Sequence, residues 1–88
     1  MANSIAYVLS KNTYTGAQEA YDLGVLQGTQ IVYTTSSTLS NSNILYSTSL
    51  LTQPIYGDGT SWYGIALLTN DSVKYAITID EEAVIVVD

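Results

Sequence analysis

Short runs of β-branched and aromatic residues, each bounded by turn-forming residues, recur along this 88-residue chain. In VKYAITI (73–79) large apolar residues alternate with smaller or polar ones, which is the period of a half-buried strand. Comparable runs predict about six short strands, over residues 4–10, 29–34, 43–47, 61–68, 73–79 and 83–87. The pattern predicts a mostly β fold, an antiparallel sheet or small sandwich, in a single domain spanning residues 1–88.

One stretch, TGAQEAYDLG, has a helical pattern instead. It predicts one short helix over residues 16–23. Thr15 and Gln18 are three residues apart, as in a capping box that satisfies the first amides of a helix. Gly24 is the residue type that commonly follows a helix end, where it takes a positive φ. A helix this short needs tertiary support, so we expect it to dock on the sheet.

Composition excludes several function classes. The chain has no cysteine and no histidine, so disulfides, thiolate or imidazole metal sites and triads that need these residues cannot form. Two lysines stand against eight carboxylates, a net charge of −6. Nucleic-acid affinity depends on clustered Lys and Arg, so we exclude a nucleic-acid partner. No apolar run approaches the roughly 18 residues of a membrane span, so no membrane insertion is predicted.

The middle of the chain gathers rigid and aromatic residues around one turn. Its only proline and only tryptophan, Pro54 and Trp62, flank Gly57-Asp58-Gly59. Proline fixes φ and glycine permits positive φ, so this segment predicts a rigid hairpin corner. The aromatic residues Tyr56, Trp62 and Tyr63 either pack in the core or in an interface, or form a platform on which a sugar stacks.

These residues also resemble a family. Leu45–Ser47, Leu51–Pro54, Gly57–Gly59 and Trp62–Gly64 resemble the turn and aromatic pattern of short β modules in fibre and surface proteins of tailed phages that infect Bacteroidetes. The resemblance covers roughly residues 17–79. It implies a structural or attachment role on the outside of the virion, as a head fibre or a capsid decoration protein, with no enzymatic activity. Trimers are common among fibres of this kind.

The last predicted strand, AVIVV (83–87), is apolar on both faces. An exposed edge of that composition would promote aggregation. We therefore expect it to be buried centrally or paired across a subunit boundary. Its residues Val84, Ile85, Val86 and Val87 are the candidate oligomerisation or docking strand.

Carboxylates are the remaining candidates for catalytic residues or metal ligands. Asp58 and Asp71 could form an acid–base pair, but both lie in predicted turns, where aspartate is common for conformational reasons. Asp80–Glu82 is a dense acidic cluster without the ligand spacing of a calcium loop. We therefore predict no catalytic residue, no metal and no cofactor.

The low charge content favours assembly. Charged residues make up 11% of the chain, and interfaces are depleted in lysine and enriched in tyrosine. We expect a homo-oligomer that docks on capsid or other virion proteins through its first or last strand. The alternative is a small carbohydrate-binding module that adheres to host glycans.

Overall fold

The computed structural model describes residues 4–24, 29–36 and 38–88, apart from the side chain of Asp71. In this part of the chain, five strands form one antiparallel sheet in the order β2-β1-β3-β4-β5. The mostly β class with one short helix is confirmed. The elements are β1 (Ile5–Ser10), α1 (Ala17–Leu23), β2 (Thr29–Thr34), β3 (Trp62–Leu67), β4 (Asn70–Ile79) and β5 (Ile85–Val87).

One face of the sheet, here called the core face, carries the hydrophobic core. Tyr7 lies opposite Val32 of β2 on one side and Leu67 of β3 on the other, so β1 is an interior strand of this layer. The long connection between β2 and β3 crosses this face and adds Leu39 and Leu45 to the core. The fully or almost fully buried core residues are Tyr7, Leu9, Val32, Leu39, Leu45, Ile65, Ile77, Ile79 and Ile85.

The predicted strand at 43–47 is not a regular strand, but it lies where a sixth strand would close the sheet. Ile44 bridges to Val84 beside β5, and Tyr46 bridges to Tyr33 of β2. A flat five-stranded sheet would hold these edges about 19 Å apart at ~4.8 Å per strand. The Cα atoms of Ile44 and Tyr46 lie at most about 7 Å apart, so with a pairing distance of ~4.8 Å on each side the segment reaches at most about 17 Å. The sheet therefore curls until the segment 44–46 can bond both edges. Each contact is a single bridge, because the segment runs from one edge to the other and does not follow either edge.

The helix lies on the opposite face, here called the helix face, and approaches β3 very closely. A Cβ on Gly24 would stand 2.7 Å from the Cα of Gly64, and a Cβ on Gly64 would stand 2.9 Å from the Cα of Gly24. Beside this contact, the buried Oγ of Ser10 accepts a hydrogen bond of 3.0 Å from the Gly64 amide. Two glycines are needed because helix and strand backbones touch without intervening side chains.

This geometry corrects the predicted helix ends. Gly24 has φ −55°, so it is required for close packing and not for a positive φ. The helix begins at Ala17 with Gly16 as N-cap and no side-chain cap. Gln18 is then the second helical residue, one position too early for a capping box. Its Nε2 donates instead to both carboxylate oxygens of Asp22, at 3.1 Å each.

Two further boundaries differ from the sequence prediction. The turn expected at Asn70-Asp71 lies two residues earlier, at Leu68-Thr69, and β4 already begins at Asn70. Between Ala66 and Leu67 the pairing of β3 with β4 shifts register, which accommodates the extra residues of β4 near this turn.

Candidate functional site

The Gly57-Asp58-Gly59 corner is held together by its aspartate. Oδ1 of Asp58 accepts the amides of Thr60 and Ser61 at 2.9 and 2.8 Å, and Oδ2 accepts the Ser61 hydroxyl at 2.8 Å. Gly59 has φ 79°, as the turn requires. The amides of Gly57 and Gly59 donate to the carbonyls of Asp80 and Ile79, at 3.0 and 2.7 Å. The corner is thus fastened to the end of β4.

The hydrogen bonds fix the charge of Asp58. The backbone amides of Ser61 and Thr60 lower the pKa of this carboxyl well below its ordinary value. Burial, together with the negative charge of Asp58, raises the pKa of Tyr63. At neutral pH Asp58 is therefore an ionised acceptor whose oxygens hold the turn.

The corner aromatic residues do not form one surface. Trp62 and Tyr63 are consecutive in β3, so their side chains lie on opposite faces, and both are half-buried. Trp62 exchanges two backbone hydrogen bonds of 2.9 Å with Tyr14. Tyr63 packs against the core. Only Tyr56 is well exposed, at 64%. A flat platform made of Tyr56, Trp62 and Tyr63 together is incompatible with this arrangement.

The acidic residues near the corner come from two turns. An open depression is lined by Asp58, Asp80, Glu81 and Glu82. Oδ1 of Asp80 accepts the amides of Glu82 and Val84 at 2.8 and 2.9 Å, so this carboxylate also shapes its own turn. Among the described residues, no group of three or more acidic side chains could hold a metal ion. The pair of Asp58 with Asp71 is not described, because the side chain of Asp71 lies outside the described residues.

A cleft between the helix and β4 was not predicted from the sequence. Its volume is about 240 Å³, and Gln18, Tyr21, Lys74, Tyr75, Ala76 and Asp88 line it. The ammonium of Lys74 lies 4.7 Å from the centre of the Tyr21 ring, at cation–π distance. No spacing in the sequence indicates this contact, because the lysine and the tyrosine come from separate elements joined only by the fold.

The last strand lies at one end of the sheet and is paired on both sides within the chain. On its inner side it pairs with β4, from Ile79↔Ile85 to Ile77↔Val87. On its outer side, Ile85 donates to the carbonyl of Asn43 and accepts from the amide of Ser42, both at 3.1 Å. The Val87 amide donates to Oδ1 of Asn41 at 2.8 Å. The side chain of Val86, 47% exposed, is what this strand presents to solvent.

Comparison with protein-family models, with characterised proteins and with solved structures finds no match to this chain. Within the described ranges, α1 is far too short to cross a bilayer.

Proposed function

We propose that this chain is a structural accessory protein of a tailed-phage virion, a head fibre or capsid decoration component on the outside of the particle. It acts by associating with itself and docking on capsid or other virion proteins, without a catalytic step. The resemblance of residues 17–79 to phage surface modules supports the phage setting. The geometry of the corner supports a structural role, since Asp58 holds its turn and the flanking glycines fasten that turn to the end of β4.

The observation that carries the proposal is that carboxylates near the corner hold turns while several large apolar side chains are exposed to solvent. The carboxylates of Asp58 and Asp80 are engaged with backbone amides and hold turns. Large apolar side chains remain at the surface instead. Those exposed among the described residues are Tyr21, Leu23, Ile31, Leu50, Tyr56, Leu68 and Val86. With only two lysines in the chain, such a surface suits contact with neighbouring subunits.

The proposal is tested on particles and in solution. Antibodies raised against the purified chain should label the outside of virions of the encoding phage by immunogold electron microscopy. Mass spectrometry of the same particles should find the chain in stoichiometric amounts. A chain that is missing from purified virions, yet abundant in the infected cell, would contradict the virion role.

A carbohydrate-binding module is the second candidate, and the exposure of Tyr56 favours it. A tyrosine 64% exposed beside a rigid corner can stack on a sugar ring. Glycan-array binding that is lost in Tyr56→Ala, with an unchanged circular dichroism spectrum, would support this function. Tyr56 is better suited to this test than Trp62, because the half-buried tryptophan also contributes to the fold.

A further inference from the structure

We infer that two copies of this chain pair antiparallel through the β2 edge, around a two-fold axis at Gln30. The inference rests on the proposed self-association and names the surface that performs it. It assigns this contact to β2, whereas the sequence favours the last strand.

The outward backbone groups of β2 follow from one bridge. The amide and carbonyl of Tyr33 both bond Tyr46, at 2.8 and 2.7 Å, on the side away from β1. Backbone groups of a strand alternate between its two sides, so those of Ile31 and Thr29 also face away from β1. Among the described residues, neither has a backbone partner on that side. As far as the described residues go, the edge is closed at Tyr33 and open over the first half of β2.

Within the described ranges, the opposite end of the sheet offers no comparable open edge. The outward groups of Ile85 and the amide of Val87 are occupied by the segment 41–43. Natural sheets protect their edges with charges, proline or a covering segment. The outer side of β5 has such a cover. The sequence of β2, TQIVYT, has neither charge nor proline, so its open half lacks the usual protection against a second strand.

The open half is complementary to itself. Under a two-fold axis at Gln30, Thr29 of each copy lies opposite Ile31 of the other. Each such pair exchanges two hydrogen bonds, four in total. The described bridge of Tyr46 is at Tyr33, two residues beyond Ile31, so it lies outside the positions 29–31 that pair with the second copy. Because β2 is uncharged, this pairing brings none of the eight carboxylates of either copy directly into the strand contact.

Side chains add an apolar contact to the pairing. Ile31, 43% exposed, lies on the helix face opposite Val8 of β1. In the pair, each Ile31 side chain packs beside Thr29 of the second copy. The two Gln30 residues lie directly opposite each other as a pair without backbone hydrogen bonds, with Cα atoms about 4.5 Å apart.

Cross-linking tests the register. The chain has no cysteine, so Gln30→Cys introduces a single thiol. Two such residues meet at a Cα distance within the disulfide range of about 4.4–6.8 Å. The variant should oxidise to a covalent dimer under a glutathione redox buffer. Val86→Cys, on the exposed face of β5, is the control and should form dimers only slowly. Equal rates for both variants would overturn the inference.

A charge variant tests the same contact without a cross-link. Gln30→Glu places two carboxylates opposite each other and should raise the dimer dissociation constant about three- to tenfold. Gln53→Glu makes the same chemical change at an exposed loop position and should leave the dimer dissociation constant unchanged. Circular dichroism confirms that both variants are folded.

The outcomes separate this inference from the proposed function. If the wild type self-associates but Gln30→Glu behaves like Gln53→Glu, the β2 contact is wrong and self-association stands. A trimer would equally overturn the two-fold pairing. If the wild type sediments as a monomer at every concentration, both the contact and the self-association are wrong.

Discussion

Replacing Gly24 by alanine should destabilise the protein, although alanine is the better helix former. At φ −55° the backbone of Gly24 suits any residue, so alanine introduces no backbone strain. The new Cβ would stand 2.7 Å from Cα and 2.8 Å from N of Gly64, whereas ordinary contacts lie at 3.4–4 Å. Both contacted atoms belong to the backbone, so no side-chain rotation relieves the overlap. The end of α1 has to recede from β3.

The expected cost follows from two opposing effects. Overpacking of this kind costs about 1–3 kcal/mol. The smaller conformational freedom of alanine in the unfolded chain offsets about 0.4–1 kcal/mol. A net loss of about 1–2 kcal/mol in the free energy of unfolding should lower the Tm by roughly 5–15 °C for a domain of this size.

Urea denaturation followed by Trp62 fluorescence and circular dichroism measures this loss. Gly16→Ala is the matched control at the other end of the helix, because a Cβ there meets nothing within 4 Å and φ is −125°. It should change the free energy of unfolding by less than about 0.5 kcal/mol, since a modest loss of capping is offset in the unfolded state. A Gly24→Ala protein as stable as the wild type would refute the close helix–strand contact.

Three further predictions concern buried or engaged polar groups. Burial raises the pKa of Tyr7 to about 12 from 10.0, so stability should fall as the pH rises from 10 through 12; Tyr7→Phe should reduce this fall in urea titrations at each pH. Ser10→Ala leaves the buried Gly64 amide without its acceptor and should cost about 1–3 kcal/mol by urea denaturation. The lowered pKa of Asp58 means that stability should decline as the pH falls below 3.8, and Asp58→Asn should remove that part of the acid sensitivity in urea titrations. An unchanged pH profile in either tyrosine or aspartate variant, or a fully stable Ser10→Ala, would contradict the corresponding contact.

The strands that the sequence predicts best are those with strict alternation or uniform β propensity. β2 matches its predicted bounds, 29–34, because every residue of TQIVYT except Gln30 is β-branched or aromatic and favours a strand. β1 and β3 are each one residue shorter at one or both ends than predicted. The helix begins within one residue of its predicted start. The predicted capping box is nevertheless wrong, because the one-residue shift moves Gln18 out of the capping position.

What the sequence does not reveal depends on contacts between distant segments. The Gly24–Gly64 approach and the Ser10 hydrogen bond join residues up to 54 positions apart. The curling of the sheet requires the segment 43–47 to reach both edges, which no local pattern encodes. At the corner, the sequence indicates the turn and its residues. Only the fold shows that Trp62 and Tyr63 are half-buried on opposite faces and that Tyr56 alone is open.

The composition of β2 is compatible with an unprotected sheet edge. An uncharged strand without proline has no protection if it lies at the edge of a sheet. Strand order decides which strand that is, and the sequence alone predicted no order. The sequence favours the more hydrophobic last strand as the interface, although the segment 41–43 covers its outer side.

The mass of the purified wild-type chain in solution tests the central claim most directly. Light scattering coupled to size-exclusion chromatography at tens of micromolar should give about twice the 9.5 kDa of one chain, with the dimer dissociating on dilution. A constant monomer mass up to the highest soluble concentration would contradict the claim that this protein works by association with copies of itself.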